Sequence, residues 1–283
     1  MHRALFYHRM TGTMKTKMYF IFAFLLVSVC SCPDNAKRIV SLGPAITEEL
    51  YLLGVGEDIV GDTVYCVRPE SATDIEKVGN VMEINVEKIV SLKPDAVIAT
   101  NLTNQRQVEK LKYLGIKVYK IGLAKNFEEI CEQFLFLAEM VGKQKEASGI
   151  VNDAAKKVNS VKEKRAIIPK QKVFVQVGAN PLFTISSDSF VNDYITSAGG
   201  INIASDSGAG YFSKEEVLKR NPDIIFIVGM GVEADGEKKM WEEYKDLNAA
   251  KNNKIYIFDS YKMCSPTPKS FAEMLEEISE VIS

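Results

Sequence analysis

Chemistry in this chain has to be done almost without histidine. Of its 283 residues only His2 and His8 are histidines, and both lie within the first ten. If that segment is removed, Ser-His-Asp and Cys-His catalysis lose their base and histidine-ligated zinc loses its ligands. The carboxylate pair Glu48-Glu49 opens a helical stretch and reads as ordinary first-turn charge, favourable near a helix N-terminus. Gly54-Val55-Gly56 and Gly229-Met230-Gly231 each lack the third glycine of a dinucleotide loop, and neither a GxSxG nor a P-loop occurs. These exclusions argue against an enzyme. The balance of 35 Lys+Arg against 37 Asp+Glu gives no net positive charge with which to hold nucleic acid.

Two of the five cysteines have a chemistry of their own. Residues 18–30, MYFIFAFLLVSVC, form a short apolar run after Lys15 and Lys17. It falls short of the roughly 20 residues that span a bilayer, and a basic start, apolar core and small residues mark a secretory signal. In Val29-Cys30-Ser31-Cys32 the small residue lipoprotein cleavage requires stands before Cys32, which is the expected lipidated residue. Residues 1–31 are thus read as the signal, with Met14 a better start than Met1 and residues 1–13 an over-extended gene start. Cleavage there removes both histidines and leaves an exported lipoprotein, periplasmic or on the cell surface, anchored to a membrane by its acyl chains.

The elements that follow alternate. Strand patterns at 38–42, 58–61, 96–99 and 116–119 are separated by helical stretches from Thr47 to about Gly54, at 83–94 and at 104–114. From Lys172 to Val177 a second alternating segment begins. Between them Phe127, Ile130, Phe134, Leu137 and Val141 share one helical face, and Val151, Ala155 and Val158 continue it until Pro169. This spacing predicts one helix of about 35–40 residues, roughly 50–60 Å long. An alternating pattern of this kind gives α/β lobes with mainly parallel sheets.

Residues 87–98, EKIVSLKPDAVI, and 215–226, EEVLKRNPDIIF, repeat each other at a constant offset of 128. In both, Pro ends a helix and Asp opens the turn into a buried strand. The two lobes are therefore built on one plan. The expected division is 32–124 for the first lobe, 125–168 for the connecting helix and 169–283 for the second lobe.

With these elements in place, RIVSLGPAITEELYLLG (38–54), NVEKIVSLKPDAVIA (85–99), RQVEKLKYLGIKV (106–118), VFVQVGANPLFT (173–184) and SKEEVLKRNPDIIFI (213–227) resemble one family in its own order. The chain is similar to the helical-backbone (class III) substrate-binding proteins of ABC importers for iron chelates, haem and vitamin B12, and most like the members that take vitamin B12. The resemblance implies two Rossmann-like lobes joined by one long helix, with the ligand in the cleft between them. It implies a cargo of iron-siderophore, haem or cobalamin, delivered to a permease dimer with its ATPase. A surface carrier or sensor uncoupled from any permease is the alternative. Glu87 and Glu215 match the family's two permease-docking glutamates.

The same resemblance places the ligand on loops at the carboxyl ends of strands. On those loops Tyr65, Phe183, Tyr211 and Tyr261 are expected to stack on a macrocycle and Arg68 or Lys262 to pair with an anion. Val81 and Thr100 stand where the vitamin B12 members carry tryptophans, so haem, with Tyr65 or Tyr211 as axial ligand, and iron-siderophores stay open. Cys66 and Cys264 fall in opposite lobes, either as free thiols or as a bridge across the cleft, and Cys131 reads as a small buried residue.

Overall fold

The computed structural model describes residues 36–208, 210–229 and 233–282. The signal segment 1–31 and Cys32 lie outside the described residues.

Strand β1 (Ile39–Ser41) leads into α1 (Pro44–Leu52), then β2 (Ile59–Gly61), α2 (Val86–Ser91), β3 (Ala96–Thr100), α3 (Gln105–Tyr113) and β4 (Val118–Ile121). Helices α4 (Phe127–Met140) and α5 (Gln144–Arg165) follow. The second half contains β5 (Gln171–Gln176), α6 (Phe190–Ser197), β6 (Gly200–Asn202), α7 (Lys214–Arg220) and β7 (Ile224–Val228). It continues with α8 (Ala234–Glu242), α9 (Asn248–Lys251), β8 (Ile255–Phe258), α10 (Ser260–Cys264) and α11 (Pro268–Ile282). Each half holds a four-stranded parallel sheet, ordered β2-β1-β3-β4 in the first and β6-β5-β7-β8 in the second. The order is the same plan used twice.

Parallel strands covered on both faces must be apolar throughout. Alternate residues of β3 accordingly enter different cores: Ala96 and Ile98 face α1 and α4, whereas Val97 and Ala99 face α2 and α3. In β7, Ile224, Phe226 and Val228 enter one core and Ile225 and Ile227 the other.

The sequence repeat is matched atom for atom. Asn85 caps α2 by accepting from the Lys88 amide, and Ser213 caps α7 by accepting from the Glu216 amide. After the helices, Lys93 and Asn221 both adopt φ 47°, the left-handed turn that ends each helix before its proline. Asp95 then accepts from the amides of Lys37 and Arg38 at 3.0 Å, and Asp223 from the Lys172 amide at 2.9 Å. Each aspartate thereby pins the start of the neighbouring strand.

The single long helix expected over 125–168 is two helices. Gly142 takes φ 69°, its amide bonds to the Glu139 carbonyl, and the Lys143 amide reaches back to the Ala138 carbonyl at 2.8 Å. That pair of bonds around a left-handed glycine is a Schellman stop. Both helices nonetheless cross between lobes. The start of α4 (Phe127, Ile130, Cys131) packs in the second lobe's core and its end (Phe134, Leu137, Met140) in the first. Helix α5 runs the opposite way, from Ala147 in the first core to Val158 and Val161 in the second. Its 22 residues span about 33 Å, short of the expected rod.

Candidate functional site

The carboxyl ends of the strands in both lobes open onto one cavity of about 750 Å³. Gly43 and Pro44 follow β1, Val64, Tyr65 and Val67 follow β2, Thr100–Leu102 end β3, and Ile121–Ala124 end β4. The second lobe adds Phe190, Gly229 after β7, and Ser260, Tyr261, Cys264 and Pro266 after β8. Ends of parallel strands leave free backbone groups and divergent loops, the usual ligand position in such sheets.

The wall is an apolar shelf. The fold leaves Val64, Tyr65, Val67, Met82, Leu102 and Leu123 exposed, and all six line this cavity. Exposed apolar side chains gathered in one concavity mark a binding surface rather than scattered surface residues. No lysine or arginine is in the wall among the described residues.

One ammonium shapes the loop that carries much of the shelf. Lys77 Nζ donates to Asp62 Oδ1 at 2.8 Å, to the Ala72 carbonyl at 2.8 Å and to the Cys66 carbonyl at 3.2 Å. The Asp62 side chain is wholly buried, and burial pushes its pKa up to about 6 although Lys77 pulls the other way. The β1–α1 turn is set by hydroxyls, with Thr47 donating to Ser41 Oγ at 2.8 Å and Ser41 donating to the Gly43 carbonyl. Glycine at 43 permits the close approach, since a Cβ there would lie 2.8 Å from the Thr100 methyl.

Of the expected contact residues, the structure brings Tyr65 and Tyr261 into the wall from opposite lobes. Arg68 stands beside Tyr261, with its guanidinium carbon 4.4 Å from the ring centroid, and bonds Asp259 at 3.0 Å. Tyr261 also donates to the Pro44 carbonyl at 3.3 Å, a second tie across the cleft. Phe183 and Tyr211 do not line this cavity; their rings pack on each other at 4.2 Å within the second lobe. Lys262 is exposed.

Cys66 and Cys264 are free thiols. Cys66 is buried beside Thr63 and Cys264 stands in the cavity wall; burial pushes Cys264 up to about 11. Buried Cys131 rises to about 12.

Glu87 and Glu215 occupy equivalent first-turn positions on α2 and α7 and are both exposed. Lys110 donates to Glu87 at 2.7 Å and holds its carboxyl below the usual range; Glu215 is lowered by its own amide and by Ser213.

Residue reasoning missed Glu49. It lines the cavity at only 5% exposure. Its signal was spacing: Ile46, Glu49 and Leu50, at i, i+3 and i+4, share the buried face of α1, where an acid is out of place.

Two equal α/β lobes closing on an apolar cleft, bridged by helices, define a bilobed solute-binding protein. The chain belongs to the periplasmic binding protein family, whose pattern matches residues 39–262. It is 32% identical to the ABC transporter substrate-binding lipoprotein YvrC of Bacillus subtilis strain 168, over 87% of this chain and 80% of that protein. The vitamin B12-binding protein of Vibrio cholerae is 29% identical over 88% of this chain and 90% of its own length. The crystal structure of the Vibrio cholerae vitamin B12-binding protein superposes with a TM-score of 0.77 at 27% identity, covering 87% of this chain and 96% of that one. The chain is thus an extracytoplasmic substrate-binding component of an ABC importer.

Proposed function

We propose that this protein captures a corrinoid, cobalamin or a close relative, and hands it to an ABC permease dimer with its ATPase while tethered by lipid on Cys32. The observation that carries the ligand class is the wall itself. A shelf of six apolar side chains with no lysine or arginine among the described residues suits the body of a large macrocycle whose edge bears neutral groups. Haem and most ferric siderophores bring carboxylates or other anionic groups, which a wall without cations leaves desolvated and unpaired. Arg68, beside the wall, is already engaged with Asp259. The relatives named for vitamin B12 support the same cargo.

In this reading the lobes are 32–124 and 169–283, hinged through 125–168, with Tyr65 and Tyr261 gripping the macrocycle from opposite sides. Phe183 and Tyr211 remain peripheral contacts for parts of the ligand that project from the cleft. Glu87 and Glu215, one per lobe at equivalent positions, present two carboxylates to a two-fold permease. Calorimetric titration of the purified protein with cyanocobalamin, haemin and ferric siderophores tests the cargo. Saturable binding of cyanocobalamin alone is expected; a response only to haemin or a siderophore overturns the corrinoid assignment.

A further inference from the structure

Burying an acid that has no partner costs several kcal/mol or obliges it to keep its proton. Glu49 is in that position. It is 5% exposed, it is the only carboxylate in the cavity wall among the described residues, and its carboxyl has no hydrogen bond or ion pair with any of them. Burial drives its pKa well above the usual carboxylate range, and neighbouring Glu48 pushes the same way. Helix α4, packed against α1, presents Ile130 and Gln133 to the same cavity, and its Cys131 thiol is raised in part by Glu49. Neither helix contains a lysine or arginine.

A neutral carboxylic acid has one O–H to give and one carbonyl oxygen to accept with. A primary carboxamide has the complementary pair, an oxygen that accepts and an N–H that donates. The edge of a corrin ring is fringed with such amides. Granted a corrinoid as cargo, we propose that Glu49 is a ligand-binding residue whose carboxyl makes a reciprocal pair of hydrogen bonds with a carboxamide on the macrocycle. The acid O–H donates to the amide oxygen, and the acid carbonyl accepts from the amide N–H. Asn101 and Gln133, also in the wall, offer the same uncharged complementarity to neighbouring amides.

Two substitutions separate this role from a packing role. Glu49→Gln keeps the shape and one donor with one acceptor, whereas Glu49→Leu keeps only bulk. Cyanocobalamin affinity is measured by calorimetry and the melting temperature of the ligand-free protein is read beside it. Glu49→Gln should bind within about threefold of the parent, and Glu49→Leu about tenfold or more weakly. Glu49→Leu should also melt at an equal or higher temperature, since it removes an unpartnered buried acid. Unchanged affinity in Glu49→Leu overturns the role of Glu49 and leaves the corrinoid reading intact. Equal loss in both variants shows that the carboxamide cannot replace the acid, and overturns the reciprocal pair made by a neutral carboxyl. No cyanocobalamin binding by the parent protein overturns both readings together.

Discussion

Arg68 of the first lobe and Asp259 of the second form an ion pair at 3.0 Å across the cleft, with the Tyr261 ring beneath the guanidinium. Their side chains are 35% and 53% exposed, so water screens the pair and it is worth about 0.2–1 kcal/mol. It acts as a latch on opening more than as a source of stability. Asp259→Ala should speed cyanocobalamin association and dissociation together in stopped-flow, with affinity moving by about fivefold or less. A large affinity loss with unchanged rates would assign the pair to the ligand surface instead.

The Lys77 clasp gives a pH signature. Asp62 holds its proton more tightly when folded, with a pKa of about 6 against 3.8 in the unfolded chain. Protonation therefore favours the folded state: stability rises as pH falls from about 6 to about 4, and the full penalty is present above 6. Urea unfolding across that range should show the rise in the parent protein and a smaller one in Asp62→Asn, where Glu49, also raised by burial, still contributes with the same sign. Lys77→Met, which strands a buried carboxylate and two carbonyls, should lose about 3 kcal/mol. Asp62→Asn introduced beside it should recover part of that.

Lys93 and Asn221 hold φ 47° at twin positions. Glycine adopts that conformation without steric strain, so Lys93→Gly should gain about 0.5–1 kcal/mol, whereas Asn221→Gly also removes the oxygen that accepts from the Asn248 amide at 2.8 Å and should gain less or lose stability. A rise of about 2–4 °C in calorimetric melting temperature is the corresponding readout. A fall at Lys93 would mean that its long side chain contributes packing that outweighs the backbone term.

Docking is separable from capture. Glu87→Ala with Glu215→Ala should abolish uptake of labelled cyanocobalamin in cells while the purified variant binds it as before. Lys110 occupies Glu87 at 2.7 Å, so Lys110→Ala should leave uptake equal or better, by freeing that carboxylate. Normal uptake in the double variant would leave a carrier or sensor uncoupled from any permease.

The architecture was readable from local patterns because it rests on local physics. Pro94-Asp95 and Pro222-Asp223 announced the repeat since each pair ends a helix and opens the strand that follows within a few residues. Gly142 announced the break between α4 and α5 in the same way, but the apolar stripe on either side suggested a continuous rod. What stayed hidden depends on residues far apart in the chain. Lys77 meets Asp62 only through the shape of the loop between them, and Arg68 meets Asp259 across the cleft from the other lobe. Phe183 and Tyr211 have the right chemistry for a macrocycle but satisfy each other, a choice that backbone pairing at 178, 183 and 211 makes. Glu49 carried its signal in the spacing, concealed by an exposed-looking neighbour of the same type.

Helices α4 and α5 run in opposite directions, and each has one end in either core. A single rod behaves as a pivot, free to twist as well as bend. Two antiparallel struts behave as a bracket: they flex in one plane and resist rotation about their own length. Such a bracket favours a small gape of the cleft over shear, which would keep Tyr65 and Tyr261 facing each other across it. Glu87 and Glu215, one on each lobe, ride on the two ends of that bracket.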